Sequence, residues 1–295
     1  MSELQTYTLE APGATIAYDV RDPDGGGSGD APLMLVGSPM DAGGFVTLAG
    51  HFGERTIVTY DPRGVARSEK ADPATSSTPD QHADDIRRVI EAVGLGPVDL
   101  FASSGGAVNA LALVARHPEV VRTLVAHEPP AAQVVDDREQ ALAATSGIAE
   151  SYQRDGLGPA MAKFIAIVSH RGPVPAGFAD QPVDPSMFGL PTEDDGRRDD
   201  PLLGQNLVSC THYEYDFDAL RAAPTRIVLA VGAESDGELA HRGGEGVAKR
   251  LGLQAVAFPG NHAGFLGGEY GQTGEPDAFA ATLREVLTEA TISAA

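Results

Sequence analysis

Cysteine is nearly absent. Cys210 stands alone among 295 residues, so no internal disulfide can form, and no Cys/His spacing matches a zinc site. A reducing compartment is the natural setting, and no metal or other cofactor is expected. Basic charge is also scarce: 21 Lys+Arg face 42 Asp+Glu, for a formal charge of −21. Such a surface repels phosphate backbones and anionic bilayers, which argues against nucleic acid or a membrane surface as partner. Lysine is reduced to Lys70, Lys163 and Lys249, a bias from which no function follows. No apolar run approaches the roughly 18 residues of a spanning helix, and Met1 to Tyr7 has neither a basic nor an apolar leader region. The expectation is a cytoplasmic protein whose partner is a small-molecule substrate; oligomeric state is not readable.

What the chain does have is 42% apolar residues with 35 Gly and 21 Pro, enough for a full core cut by many tight turns. Tyr7 to Val20 alternates as a hairpin turned at Pro12-Gly13. Asp22, Asp24 and Asp30 sit in a Gly-rich loop that lacks the spacing and final Glu of a calcium-binding loop, so it reads as a solvated turn. Short runs apolar on both faces follow: Pro32 to Val36, Thr56 to Tyr60, Val98 to Ala102, Thr123 to Ala126, Ile227 to Val231 and Ala255 to Phe258. Such runs suit strands of a parallel sheet covered on both sides. Helical segments alternate with them. One is capped by Thr78-Pro79-Asp80-Gln81 and stopped by Gly94, one follows residue 105, and one spans Pro276 to Leu287.

The fold class expected is α/β, a doubly wound and mostly parallel sheet opened by an antiparallel edge. Its core would be 1–130 and 223–295. Residues 131–222 break the rhythm with Pro, Gly and acidic stretches and read as an inserted, mainly helical cap. Within it Met161, Phe164, Ile165 and Val168 form an apolar stripe that, with Met187 and Phe188, either lines a pocket or packs the cap onto the core.

The strand ending at Ala102 runs into Ser103-Ser104-Gly105-Gly106 and then directly into a helix. A nucleophilic serine at such a strand–turn–helix apex needs small neighbours two before and two after it. Ser104 has Ala102 and Gly106; Ser103 would have Phe101, which is too large. Ser104 is the candidate nucleophile, and the helix opening at Gly105 offers N–H groups and a positive dipole end to an oxyanion. His262, on the loop Pro259-Gly260-Asn261-His262 after the last apolar run, is positioned as its general base.

The carboxylate that orients the histidine is expected on the loop after Ile227 to Val231. Both Glu234 and Asp236 are available there, and Asp236, at a turn before Gly237, is preferred. Glu128, at the end of the strand after the elbow helix, is a third candidate, read first as a pocket-wall carboxylate.

Taken together, Val36-Gly37-Ser38-Pro39, Tyr60 to Ser68, the elbow Ala102 to Gly106, His127-Glu128-Pro129-Pro130 and Pro259 to His262 resemble an α/β-hydrolase with an inserted cap. The resemblance implies an oxyanion hole from the backbone N–H groups of Ser38 and Gly105, with Arg63 ordering loops. This chain departs from the family pattern at Val36, where a histidine is usual, and at Ala102 and Ala66, where glycines are usual. The implied activity is a cofactor-free serine hydrolase cleaving a carboxylic ester or related acyl bond of a small, partly hydrophobic substrate through an acyl-enzyme. C–C bond hydrolysis, perhydrolysis, lactonase and thioesterase activity use the same triad. An iminopeptidase would carry a tryptophan beside the nucleophile, and the chain has none. A catalytically silent binding module would have lost a triad member, and none is missing.

Overall fold

The computed structural model describes residues 3–23, 25, 29–73 and 75–293, without the side chains of 289–293; Asp24 of the acidic loop lies outside the described residues. The chain opens with a hairpin of β1 (Leu4–Ala11) and β2 (Ala14–Arg21), turned at Gly13 with φ 73°. Then come β3 (Leu33–Val36), α1 (Val46–Gly50), β4 (Ile57–Tyr60), the two-residue β5 (Glu69–Lys70), α2 (Pro79–Val93), β6 (Val98–Ser103), α3 (Gly105–Arg116) and β7 (Val121–His127). After a long insertion the sheet resumes with β8 (Arg226–Gly232). The insertion holds α4 (Arg138–Asp155), α5 (Leu157–Val168), a π-helical turn Leu202–Asn206, α6 (Leu207–Thr211) and α7 (Phe217–Ala222). The chain closes with α8 (Leu239–Leu251), β9 (Val256–Phe258) and α9 (Pro276–Ser293).

The sheet order is β1-β2-β4-β3-β6-β7-β8-β9, with β5 also on β2. Pairing is antiparallel where β2 meets β1, β4 and β5, and parallel from β4 through β9. The reason is visible in the strands: Met34, Val36, Leu100 and Ala102 pack on one face with α2, α3 and α8, while Leu33, Leu35 and Phe101 pack on the other with α1 and α9. Strands apolar on both faces can be satisfied only between two helical layers.

α2 starts where the sequence predicts. Thr78 and Gln81 exchange side-chain-to-backbone hydrogen bonds of 3.2 and 3.0 Å, and Gly94 at φ 71° ends the helix. Arg63 orders loops as expected, through two 2.7 Å bonds to the buried Asp85 of α2.

The insertion has its own apolar cluster, including Ile148, Tyr152, Ala160 and Ile167, lying over the ends of the parallel strands. Its last helix behaves differently: Phe217 and Leu220 of α7 join the cluster beneath α3.

Candidate active site

β6 ends at Ser103 and α3 begins at Gly105, leaving Ser104 in the turn at φ 57°, ψ −128°, a strained conformation for a residue with a side chain. Close packing enforces the small neighbours. A Cβ on Gly106 would lie 2.6 Å from the Val36 carbonyl, and one on Gly105 would lie 2.5 Å from the Ser38 carbonyl. The elbow therefore rests directly on the loop after β3, which brings Ser38 beside Gly105. The Gly105 N–H, first in α3, has no acceptor within its own helix. The Ser38 hydroxyl donates to Asn206 Oδ1 at 2.8 Å, tying this loop to the π-helical turn of the insertion.

His262 follows β9 on a turn through Gly260 at φ 78°, and its ring is about two-fifths exposed. Its Nδ1 lies 2.6 Å from Glu128 Oε2. Glu128 is the first residue past β7, held at φ 47° with its N–H donating to the Ala230 carbonyl at 2.9 Å, and its carboxylate is fully buried. The other carboxylate oxygen, Oε1, accepts the Gly232 N–H at 2.8 Å and the Ser235 hydroxyl, with His241 Nδ1 at 3.6 Å. Burial pushes this carboxyl up, but donation from His241 and His262 and the electrostatic pull of the His127 and His262 rings outweigh it and hold Glu128 well below the usual carboxylate range. Ser104 and His262 line one cavity without a hydrogen bond between them among the described residues, a spacing common before substrate tightens a site.

The preference for Asp236 is corrected here. Its carboxylate is 88% exposed and 3.8 Å from His241 Nε2, so it does not meet His262. Glu234 is exposed as well, its N–H donating to the Gly260 carbonyl. The loop after β8 turns Ser235 inward instead, and that hydroxyl braces Glu128. Gly232 leaves the room: a Cβ there would meet Ser235 Oγ at 2.8 Å and the Asn261 carbonyl carbon at 2.9 Å.

His127 is fully buried at the end of β7. Its ring stacks on that of His262 at 5.8 Å and packs edge-on against Phe265 and Phe279, while Nδ1 lies 3.0 Å from Ser103 Oγ. Burial pulls its pKa down to about 4, so it stays neutral behind His262.

The cavity, about 470 Å³, is lined by Ser38, Ser104, Gly105 and His262 and walled by Phe164, Ile167, Val168, Leu202, Leu207 and Leu239. Part of the α5 stripe thus lines the pocket, shifted to take in Ile167. Met187 and Phe188 do not join it and are exposed, at 77% and 42%. A second cavity of about 440 Å³ shares Ser104 and His262 and runs past Met40, Asp41, Leu266 and Tyr270. Ser235 and Asn206 are not marked by the sequence, and His127 is marked only as part of the segment His127-Glu128-Pro129-Pro130. Among the described residues no group of three His, Cys, Asp or Glu side chains is gathered as a metal site.

A family model described as the alpha/beta hydrolase fold matches residues 33–208. The uncharacterized hydrolase YraK of Bacillus subtilis is 32% identical over 271 residues, 88% of this chain and 89% of that protein. Among solved structures, a thermophilic esterase from Thermogutta terrifontis superposes with TM-score 0.66 at 18% identity, over 97% of this chain and 99% of its own. An enol-lactonase from Burkholderia xenovorans LB400 does so with TM-score 0.63 at 17% identity, over 96% and 100%. The chain belongs to the α/β-hydrolase family, and it is a hydrolase of that fold.

Proposed function

We propose that this protein is a serine hydrolase acting on a carboxylic ester or related acyl bond of a small, partly apolar substrate. The observation that carries the reading is the 2.6 Å contact between His262 Nδ1 and the buried, ionised Glu128, with Ser104 at the strained elbow on the same cavity. Glu128 fixes the tautomer with the proton on Nδ1, which leaves Nε2 as base. Ser104 Oγ attacks the carbonyl carbon while Nε2 takes its proton. The backbone N–H groups of Ser38 and Gly105 receive the negative charge that develops on the carbonyl oxygen. Collapse of the tetrahedral intermediate expels the alcohol, which leaves with the proton from Nε2. Water, deprotonated by the same nitrogen, then cleaves the acyl-enzyme to release the acid and restore Ser104.

A fluorophosphonate tests the assignment. One equivalent should attach, peptide mapping should find it on Ser104, and Ser104→Ala should abolish both labelling and ester turnover. An adduct on Ser103, or none on folded protein, refutes it.

A further inference from the structure

The two cavities that meet at Ser104 share a feature of charge. Among the described residues lining them there is neither Lys nor Arg, whereas each includes a carboxylate, Glu238 in one and Asp41 in the other. Glu238 precedes α8, its side chain is one-fifth exposed, and its carboxyl lies within electrostatic reach of both Glu128 and His262. Its partner is Arg171, whose Nη2 is 3.5 Å from Glu238 Oε1 on the solvent side and whose side chain is 61% exposed. Burial, and then the neighbouring Glu128, raise the Glu238 pKa against the pull of Arg171. A carboxylate in this position already bears the cost of one more negative charge nearby.

Resting on the serine-hydrolase reading above, we propose that the site takes esters with an uncharged acyl chain and turns away those whose acyl chain ends in a carboxylate, with Glu238 as a specificity-determining residue. A substrate carboxylate in the 470 Å³ cavity would be stripped of water against Phe164, Ile167 and Leu239 and set near Glu238, with no cation in the lining to meet it. The overall charge of −21 works in the same direction on approach.

The experiment compares kcat/KM for 4-nitrophenyl pentanoate and mono-4-nitrophenyl glutarate, which differ in a terminal methyl against a carboxylate at nearly equal length. The protein should favour the pentanoate by about tenfold or more. Glu238→Gln should narrow that ratio, and Arg171→Ala, which strips the carboxylate of its cation, should widen it. Reading the ratio within each variant cancels any general change in rate, and the two variants move it in opposite directions. Equal turnover of both esters, or a ratio that neither variant moves, overturns the inference while leaving the hydrolase reading intact. Turnover of neither ester, with Ser104 unlabelled by fluorophosphonate, overturns that reading and the inference with it.

Discussion

β7 and β8 lie side by side, parallel, with His127 paired to Ala230, and both run out at the edge where Ser104 sits. Each is followed by acidic residues, yet the two ends treat charge in opposite ways. β7 turns Glu128 inward one residue past the strand, where it is fully buried and held by Gly232, Ser235 and His262. β8 ends on a side-chain-free Gly232 and its loop sends Glu234 and Asp236 into solvent, keeping only the Ser235 hydroxyl for the interior. One end supplies the ion and the other supplies the donors that stabilise it. A carboxylate's usefulness to a histidine is therefore set by which way the chain turns in the first residues after a strand, not by which strand it follows.

The largest effect that would break this contrast is on kcat. On the proposed mechanism Glu128→Gln should lower it by on the order of 10⁴, as loss of the acid does in serine triads, while Asp236→Asn and Glu234→Gln stay within about twofold. Circular dichroism confirms that each variant is folded. Collapse of the Asp236→Asn variant with Glu128→Gln active would reverse the assignment. Next in size, Ser235→Ala removes one donor to Glu128 but leaves the Gly232 N–H and His262 in place. A fall of about tenfold in kcat is expected, and an unchanged rate would make the hydroxyl a spectator.

Acid stability sharpens the comparison further. His127, at the β7 end, has its pKa lowered to about 4 by burial, so the unfolded chain takes up a proton near pH 6.5 that the folded one refuses until much lower. Stability should therefore be lost as pH falls from about 6.5 to about 4, by up to about 3 kcal/mol from this residue. The buried His82 and the depressed Glu128 act in the same direction, the latter below the ordinary carboxylate range. His127→Phe should flatten the decline of Tm over that window, and Asp236→Asn should not alter it. A parallel decline in wild type and His127→Phe would show that His127 does not set the slope.

The frame was legible because its signals are redundant. A strand buried on both faces is apolar throughout, and the elbow is enclosed so tightly by Val36 and Ser38 that only small residues fit around Ser104. Which carboxylate meets His262 was not, since Glu128, Glu234 and Asp236 are alike in type and all lie near strand ends. Their difference is rotational, decided by a φ of 47° at Glu128 and by the cleared space at Gly232. The pocket wall was half legible: α5 must face both its own cluster and the cavity, so periodicity marked Phe164 and Val168 but not Ile167. Asn206 lies in a π-helical turn that no local pattern announces.

The bond from Ser38 to Asn206 bears on how far this architecture can be rebuilt. Ser104, Glu128 and His262 all come from turns on the sheet, an arrangement that by itself would make the insertion exchangeable as a unit, altering the substrate and leaving the chemistry alone. The contact at Ser38 limits that modularity. The loop bearing Ser38 leans on an amide oxygen supplied by the insertion, and a replacement segment without an acceptor at that point would leave the Ser38 hydroxyl buried and unmatched. A graft onto this sheet must therefore carry an acceptor at that point along with its new pocket, or the change in specificity will come with a loosened loop beside Ser104.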